Sequence, residues 1–415
     1  MDRKRIVVTG MGVCSCFGND VDVFYKQLLA GKSGVGPIDR FPCAEYPTRF
    51  AASIHNFDDE GYVDKKLRRR IDTYMAYAIV AGKKALQFGN IDAEQLEKFD
   101  KERCGVLIGS GMGGMSVYLD NIKVLFERGH SKLSPFFIPY TLTNMGGALL
   151  AMDLGFMGPN YCISSACATG NYAIIAAANH IRSGEADLML CGGVEAPINV
   201  AGLAGFCSCK ALSRRNDQPE GASRPWDRQR DGFVMGEGAG ILLLESLEHA
   251  RARGANILAE YLGGGYSCDA HHITELRPDG AGVALCMRNG LKDARVNAED
   301  VNYINAHATS TPQGDVVEIE GIRKVFSDVS KLTLNATKSM IGHLLGGAGG
   351  VEAIVCVKAI MDGLLHPTLN QEDREVGLDL NIPTTATEKK VKVALSNSFG
   401  FGGHNAAVLF APFNG

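Results

Sequence analysis

Cys167, in the stretch PNYCISSACATGNYAI, is placed by the sequence where an apolar strand turns straight into a helix. A thiol at a helix N-terminus feels the positive end of the helix dipole, which favours thiolate near neutral pH. Two histidines lie far downstream, His307 in YINAHATSTP and His343 in NATKSMIGHLLGGAGG, each after a short apolar run of strand type. A cysteine and two distant histidines can converge in space to build acyl-transfer chemistry. Cys162, His180, His249, His366 and His404 have no such surroundings and are read as structural.

Short apolar runs beside many of the 50 glycines alternate with helical stretches, the signature of an α/β chain with a buried sheet. Strands are expected from residues 6, 104, 160, 187 and 240, and helices over 21–30, 71–88, 143–154 and 168–183. From residue 257 the order repeats, with helices over 280–294, 315–326 and 346–361 and strands at 257, 301–306, 332–335, 391–396 and 405–410. Two similar runs without a linker imply a duplicated core whose halves share an interface. The charged stretches 37–70 and 212–230 read as loops or cap insertions.

A chain of 415 residues with 46% apolar content is ample for a buried core. Its net charge of -4 disfavours nucleic acid as a ligand, and its apolar stretches are too short for membrane insertion. The N-terminal MDRKRIVVTGMG enters a strand almost at once, so any targeting peptide is expected to have gone already. Twelve cysteines scattered through a large chain read as reduced thiols. The C-x-C pairs Cys14/Cys16 and Cys207/Cys209 lack the second pair a zinc site needs.

ACATG around Cys167, SRPWDRQRDGFVMGEGAG, NAHATSTPQGD, TKSMIGHLLGGAGG and SNSFGFGGHN follow one another in that order. Together they resemble the β-ketoacyl-[acyl carrier protein] synthases of types I and II, over essentially the whole chain, with wording nearest the plastid enzymes and their bacterial relatives. Ala308 departs from the glycine usual in bacterial members. The resemblance implies a thiolase fold: duplicated mixed α/β halves, 1–255 with the nucleophile and 256–415 with both histidines, in a five-layer αβαβα arrangement. It also implies a homodimer, an acyl carrier protein partner presenting substrates on phosphopantetheine, no required cofactor, and a plastid stroma or, alternatively, a bacterial cytoplasm.

The implied reaction is a decarboxylating Claisen condensation in which Cys167 holds the acyl chain. His307 and His343 then stabilise the enolate left when malonyl loses CO2. Lys338, with Glu318 as its partner acid, biases a histidine toward its neutral form. The backbone N–H groups of Cys167 and Phe401 form an oxyanion hole, and Gly400, Gly402 and Gly403 allow the loop conformations with positive φ. Phe399 and Phe401, aromatic beside glycines, are expected to gate the acyl chain. The resemblance implies that Thr309 and Thr311 hydrogen-bond the pantetheine, although such a pair can also cap a helix beginning at Pro312. Asn305, Glu352, Ser396 and Asn397 match positions that hold a structural Na+ or K+ in some relatives. Lys65, Lys66, Arg69, Arg70 and Lys210 are expected to receive the acidic carrier.

Three glycines, Gly109, Gly111 and Gly114, satisfy the G-x-G-x-x-G dinucleotide fingerprint. The acid expected about twenty residues on is missing. The stretch is read instead as a tight turn lining an acyl tunnel, with Ile108 near its end. A thiolase would carry a second cysteine where SFGFGG stands, and a type III synthase an asparagine at His343. A non-catalytic partner or scaffold would lack the nucleophile.

Overall fold

Nine apolar runs become the nine strands of one mixed sheet in the computed structural model, which describes residues 3–375 and 380–415. In the first half these are β1 (Ile6–Cys14), β2 (Cys104–Gly109), β3 (Leu188–Glu195) and β4 (Gly238–Ser246). The second half supplies β5 (Ala259–Cys268), β6 (Tyr303–Asn305), β7 (Thr333–Asn335), β8 (Ala394–Gly400) and β9 (His404–Ala411). The order is β2-β3-β4-β1-β5-β9-β8-β6-β7.

Strand direction exposes the duplication. In the first half β2 and β3 are parallel, while β4 runs antiparallel to both β3 and β1. In the second half β6 and β8 are parallel, while β9 runs antiparallel to both β8 and β5. The halves join where β1 meets β5 through Ile6–Tyr261, Val7–Glu260 and Val8–Ala259. The counterpart of β7 in the first half is a single parallel bridge between Val106 and Asn160. The strand expected at residue 160 is therefore an extended segment. Its Ser165 N–H turns to the Thr169 Oγ1 at 2.9 Å, so the chain leaves the sheet to make a turn.

Helices α1 (Thr73–Phe88), α2 (Met115–Arg128), α3 (Met145–Leu154) and α4 (Thr169–Ser183) belong to the first half, with α5 (Val200–Ser208). The second half contributes α6 (Ala281–Ala294), α7 (Gly314–Arg323) and α8 (Ala348–Asp362). Neither α2 nor α5 was expected. Helix α2 has an apolar stripe but buries none of it, and α5, VAGLAGFCS, is apolar on nearly every side, so neither shows the contrast of faces that marks a core-packed helix.

Alternation along the strands sends side chains to two faces and produces three large apolar cores among the described residues. One packs α1 and α3 on Val106, Leu190 and Leu243 of the first half. Another packs α6 and α7 on Ile304, Leu334 and Leu409 of the second. The largest lies between them, where Ile174 and Ile181 of α4 meet Val351 and Val355 of α8. The layers therefore run helix, strand, helix, strand, helix, which is the thiolase fold. In the middle layer the two helices touch backbone to backbone: a Cβ on Gly170 would lie 2.6 Å from the Gly350 nitrogen. Among the described residues no helix is long and apolar enough to cross a membrane. All 12 cysteines are free thiols.

Candidate active site

At the edge of the middle layer a cavity of about 660 Å³ is lined by Cys167, His307, His343, Thr309, Thr311, Phe399 and Phe401. Cys167 stands in the 3-10 turn Ala166–Ala168 that runs into α4, with Ala166 in the left-handed region at φ 48°. The end of β8 presses on this turn. A Cβ on Gly400 would lie 2.6 Å from the Ser165 oxygen and 2.9 Å from the Cys167 nitrogen, so only glycine leaves that N–H uncovered. Gly402 and Gly403 take positive φ as expected, at 87° and 74°, whereas Gly400 is needed for close approach and not for φ.

The thiol is not a resting thiolate. Burial pushes it up to about 12, Lys338 draws it back only in part, and Glu195 adds to the rise. Desolvation outweighs the dipole of α4, because the turn is enclosed by the other half of the molecule.

His307 follows β6, and His343 follows the short helix Lys338–Ile341. Their ring centroids are 5.3 Å apart at 85°. The segment DGFVMGEG grips the backbone of His343 on both sides: its N–H donates to the Val234 oxygen at 2.7 Å, and Gly236 N–H donates to its carbonyl at 2.9 Å. The Phe233 ring meets that of His343 edge-on at 5.3 Å, as Phe399 meets His307. Leu345 N–H donates to His343 Nδ1 at 3.2 Å. Nδ1 is therefore the acceptor, and in the neutral ring the proton sits on Nε2, which has no protein partner. Burial, then the charge of Lys338, holds both imidazoles well below the usual histidine range, with His343 contributing further at His307. The cavity thus contains two neutral rings able to donate to developing negative charge.

Lys338, 2% exposed, pairs with Glu352 of α8 and not with the expected Glu318. Glu318 is occupied elsewhere. It accepts the N–H groups of His307 at 2.9 Å and Ala308 at 2.7 Å, and the Asn397 amide at 3.2 Å. It thereby fixes Ala308 at φ 27°, a strained conformation for alanine. Burial pushes Glu318 up to about 7, and raises Glu352 as well.

The four candidate cation residues are divided by strand alternation. Asn305 and Ser396 are register partners on β6 and β8, and share the face packed by α8, which carries Glu352. Asn397 points to the opposite face, toward Glu318. Asn305 Oδ1, Glu352 Oε2 and Ser396 Oγ are buried oxygens without a hydrogen-bond partner among the described residues, a donor set that suits a hard monovalent cation.

Thr309 and Thr311 place their hydroxyls 3.2 Å apart in the cavity, and neither caps α7. Asp315 holds their backbone by accepting from Ser310 and Thr311 N–H, while Arg230 donates to the Thr311 carbonyl at 2.9 Å. Ile108 is 1% exposed in β2 and lies outside the cavity, in the apolar core under α1 and α3. The turn after it does reach the cavity, through Gly111 and Met112. Lys65, Lys66, Arg69, Arg70 and Lys210 are all exposed, and Lys210 follows the cavity-lining Cys209.

Sequence reasoning missed Glu195, Asp315 and Phe233. Glu195 lay two residues past the apolar run expected from residue 187, and Asp315 stood only as the first residue of the helix expected over 315–326.

A duplicated thiolase fold with a buried thiol and two neutral imidazoles in one cavity defines a condensing enzyme of acyl chemistry. Residues 3–250 match the beta-ketoacyl synthase N-terminal domain and residues 258–372 its C-terminal domain, so the chain belongs to the β-ketoacyl synthase family. It is an acyltransferase that extends acyl chains in fatty acid synthesis. The chain is 58% identical to 3-oxoacyl-[acyl-carrier-protein] synthase I, chloroplastic, of Arabidopsis thaliana, covering 99% of this chain and 87% of that relative. It is 45% identical to 3-oxoacyl-[acyl-carrier-protein] synthase 2 of Vibrio cholerae, covering 99% of each. A solved type II PKS acyl-carrier protein in complex with its ketosynthase, bound to the hexaketide, superposes with TM-score 0.90 at 31% identity and full coverage of both chains.

Proposed function

We propose that Cys167 accepts an acyl chain from an acyl carrier protein and that His307 and His343 drive the decarboxylation that extends it. The Cys167 sulfur attacks the acyl-carrier thioester; the carrier thiolate leaves and takes the thiol proton. The malonyl-carrier C–C bond then breaks to release CO2. Its electron pair passes onto the thioester as an enolate, which accepts hydrogen bonds from the two imidazoles. The carbanion attacks the acyl-cysteine, and the departing Cys167 thiolate takes a proton from solvent to return to the resting thiol. The observation that carries this reading is the orphan Nε2 of a neutral His343 in the cavity that holds the thiol. Lys338, with Glu352 as counter-charge, keeps both rings neutral. The Cys167 and Phe401 N–H groups serve the tetrahedral intermediates, Phe399 and Phe401 gate the chain, and Thr309 and Thr311 hold the pantetheine.

The exposed cations Lys65, Lys66, Arg69, Arg70 and Lys210 would receive an acidic carrier, and none has an ion-pair partner among the described residues. A homodimer is supported by the apolar exposure of the 115–161 region, with Phe126 at 83% and Met157 at 71%, beside the edge strand β2. We take residues 1–255 and 256–415 as the two halves, a plastid stroma as the site of action, and Na+ or K+ as the occupant of the Asn305, Glu352 and Ser396 oxygens. The direct test loads the protein with acyl-carrier thioesters, adds malonyl-carrier, and follows intact mass and products. An acyl adduct on Cys167 consumed with CO2 release, giving a product two carbons longer, is expected. An adduct without elongation would remove the histidine roles.

A further inference from the structure

The turn that imitates a dinucleotide fingerprint is already filled by an anion from the chain itself. Glu195, at the end of β3, is fully buried and lines the cavity. Its Oε1 accepts from the Ser110 hydroxyl at 2.8 Å and from Met112 N–H at 3.0 Å. Its Oε2 accepts from Gly111 N–H at 2.9 Å and from Gly346 N–H at 3.0 Å. The first three donors belong to the GSGMGG turn, and the fourth to the HLLGGAGG turn of the other half. Gly346 has no room for a Cβ, which would come 2.5 Å from Oε2, whereas a Cβ on Gly111, at 3.0 Å, would push Oε2 aside slightly.

Gly346 N–H is the neighbour of Leu345 N–H, the donor that sets the tautomer of His343. Leu344 is right-handed at φ -81° and Leu345 left-handed at φ 49°, the alternation that turns successive N–H groups to one concave side. A left-handed leucine is strained unless its surroundings hold it. The carboxylate supplies that hold by taking the next N–H in the nest.

We propose that Glu195 is a positioning residue for the condensation: by anchoring Gly346 it keeps Leu345 N–H on His343 Nδ1, and so keeps the His343 proton on Nε2. The inference deepens the assignment of His343 as an enolate donor and rests on it. Because the same carboxylate holds the GSGMGG turn, it also couples the wall of the acyl cavity to the histidine turn.

The test is the tautomer itself, read from the 15N shifts of His343 in the resting protein at neutral pH, in wild type, Glu195→Gln and Gly111→Ala. The glutamine amide must turn donors toward donors, so loss of the fixed Nε2–H form is expected in Glu195→Gln, with malonyl decarboxylation slowed about 10–100-fold. Gly111→Ala displaces Oε2 by a few tenths of an ångström, should shift the tautomer ratio less, and carries the test if Glu195→Gln does not fold. An unchanged Nε2–H form in both folded variants would overturn the proposal, as would equal slowing of acylation and decarboxylation with no change in tautomer. A His343→Ala enzyme that still decarboxylated would overturn the donor role alone, leaving the tautomer to decide the anchoring.

Discussion

Cys167 and Gly346 occupy equivalent places in the two halves. In the first half a left-handed residue, Ala166 at φ 48°, opens a 3-10 turn that runs into α4, closed by left-handed Gly184. In the second, Leu345 at φ 49° opens the turn Leu345–Gly347 that runs into α8, closed by left-handed Gly363. The backbone is the same and the chemistry differs. The first turn presents a thiol to the cavity. The second has no side chain at that place and presents N–H groups, one to His343 Nδ1 and the next to Glu195. The two halves share the scaffold, and the side chain carried at one position of the turn separates a thiol from a nest of N–H groups.

Moving chemistry between the turns should fail, and this is the largest effect expected. Cys167→Ala should lose the acyl adduct and slow condensation by about 10³-fold or more, as loss of a covalent nucleophile does. Adding Gly346→Cys should restore nothing, since its Cβ would fall 2.5 Å from Glu195 Oε2. Intact mass after incubation with acyl-carrier reads both. Restored acylation in the double variant would mean that the two turns are interchangeable.

Gly400→Ala probes what is peculiar to the first turn. Its methyl would crowd the Cys167 nitrogen, so acylation should fall about 10–100-fold. Decarboxylation at the histidines should change far less. Single-turnover measurement of each step separates them, and equal losses would mean that the methyl disturbs the whole site.

The two turns should also differ in pH response. Both histidines have pKa values well below 6.5, so decarboxylation in a Cys167→Ala background should stay level as pH falls from 8 to 6. With the thiol pushed to about 12, alkylation of Cys167 by iodoacetamide in the resting enzyme should keep rising from pH 7 to 10 without a plateau. A plateau near neutral pH would restore the thiolate that the dipole of α4 alone suggests.

The smallest effect belongs to the surface. Reversing Arg69 and Arg70 together should raise the KM for carrier substrate about 3–10-fold and leave that for a short pantetheine thioester unchanged. Steady-state kinetics on the two substrates decides it. Equal changes would place these arginines outside the docking surface.

Much of this was legible in the sequence, because period and punctuation are local properties. The duplication, most of the strands and helices, and the trio Cys167, His307 and His343 follow from runs of six to eighteen residues and from motif order. What failed was decided by enclosure and by pairing across the halves. The thiol rises because β8 covers the turn. Lys338 chooses Glu352 over Glu318, since α8 is packed against it while Glu318 is drawn to the N–H groups after β6. Strand alternation separates Asn397 from the other cation candidates. The G-x-G-x-x-G turn was ambiguous for the same reason: its glycines declare a backbone ready to bind an anion, but not which anion. The chain by itself determined the elements and the reactive groups they carry. Only tertiary structure could bring Glu195 from 84 residues away into that turn, because a buried charge finds its partners through the packing of the whole molecule.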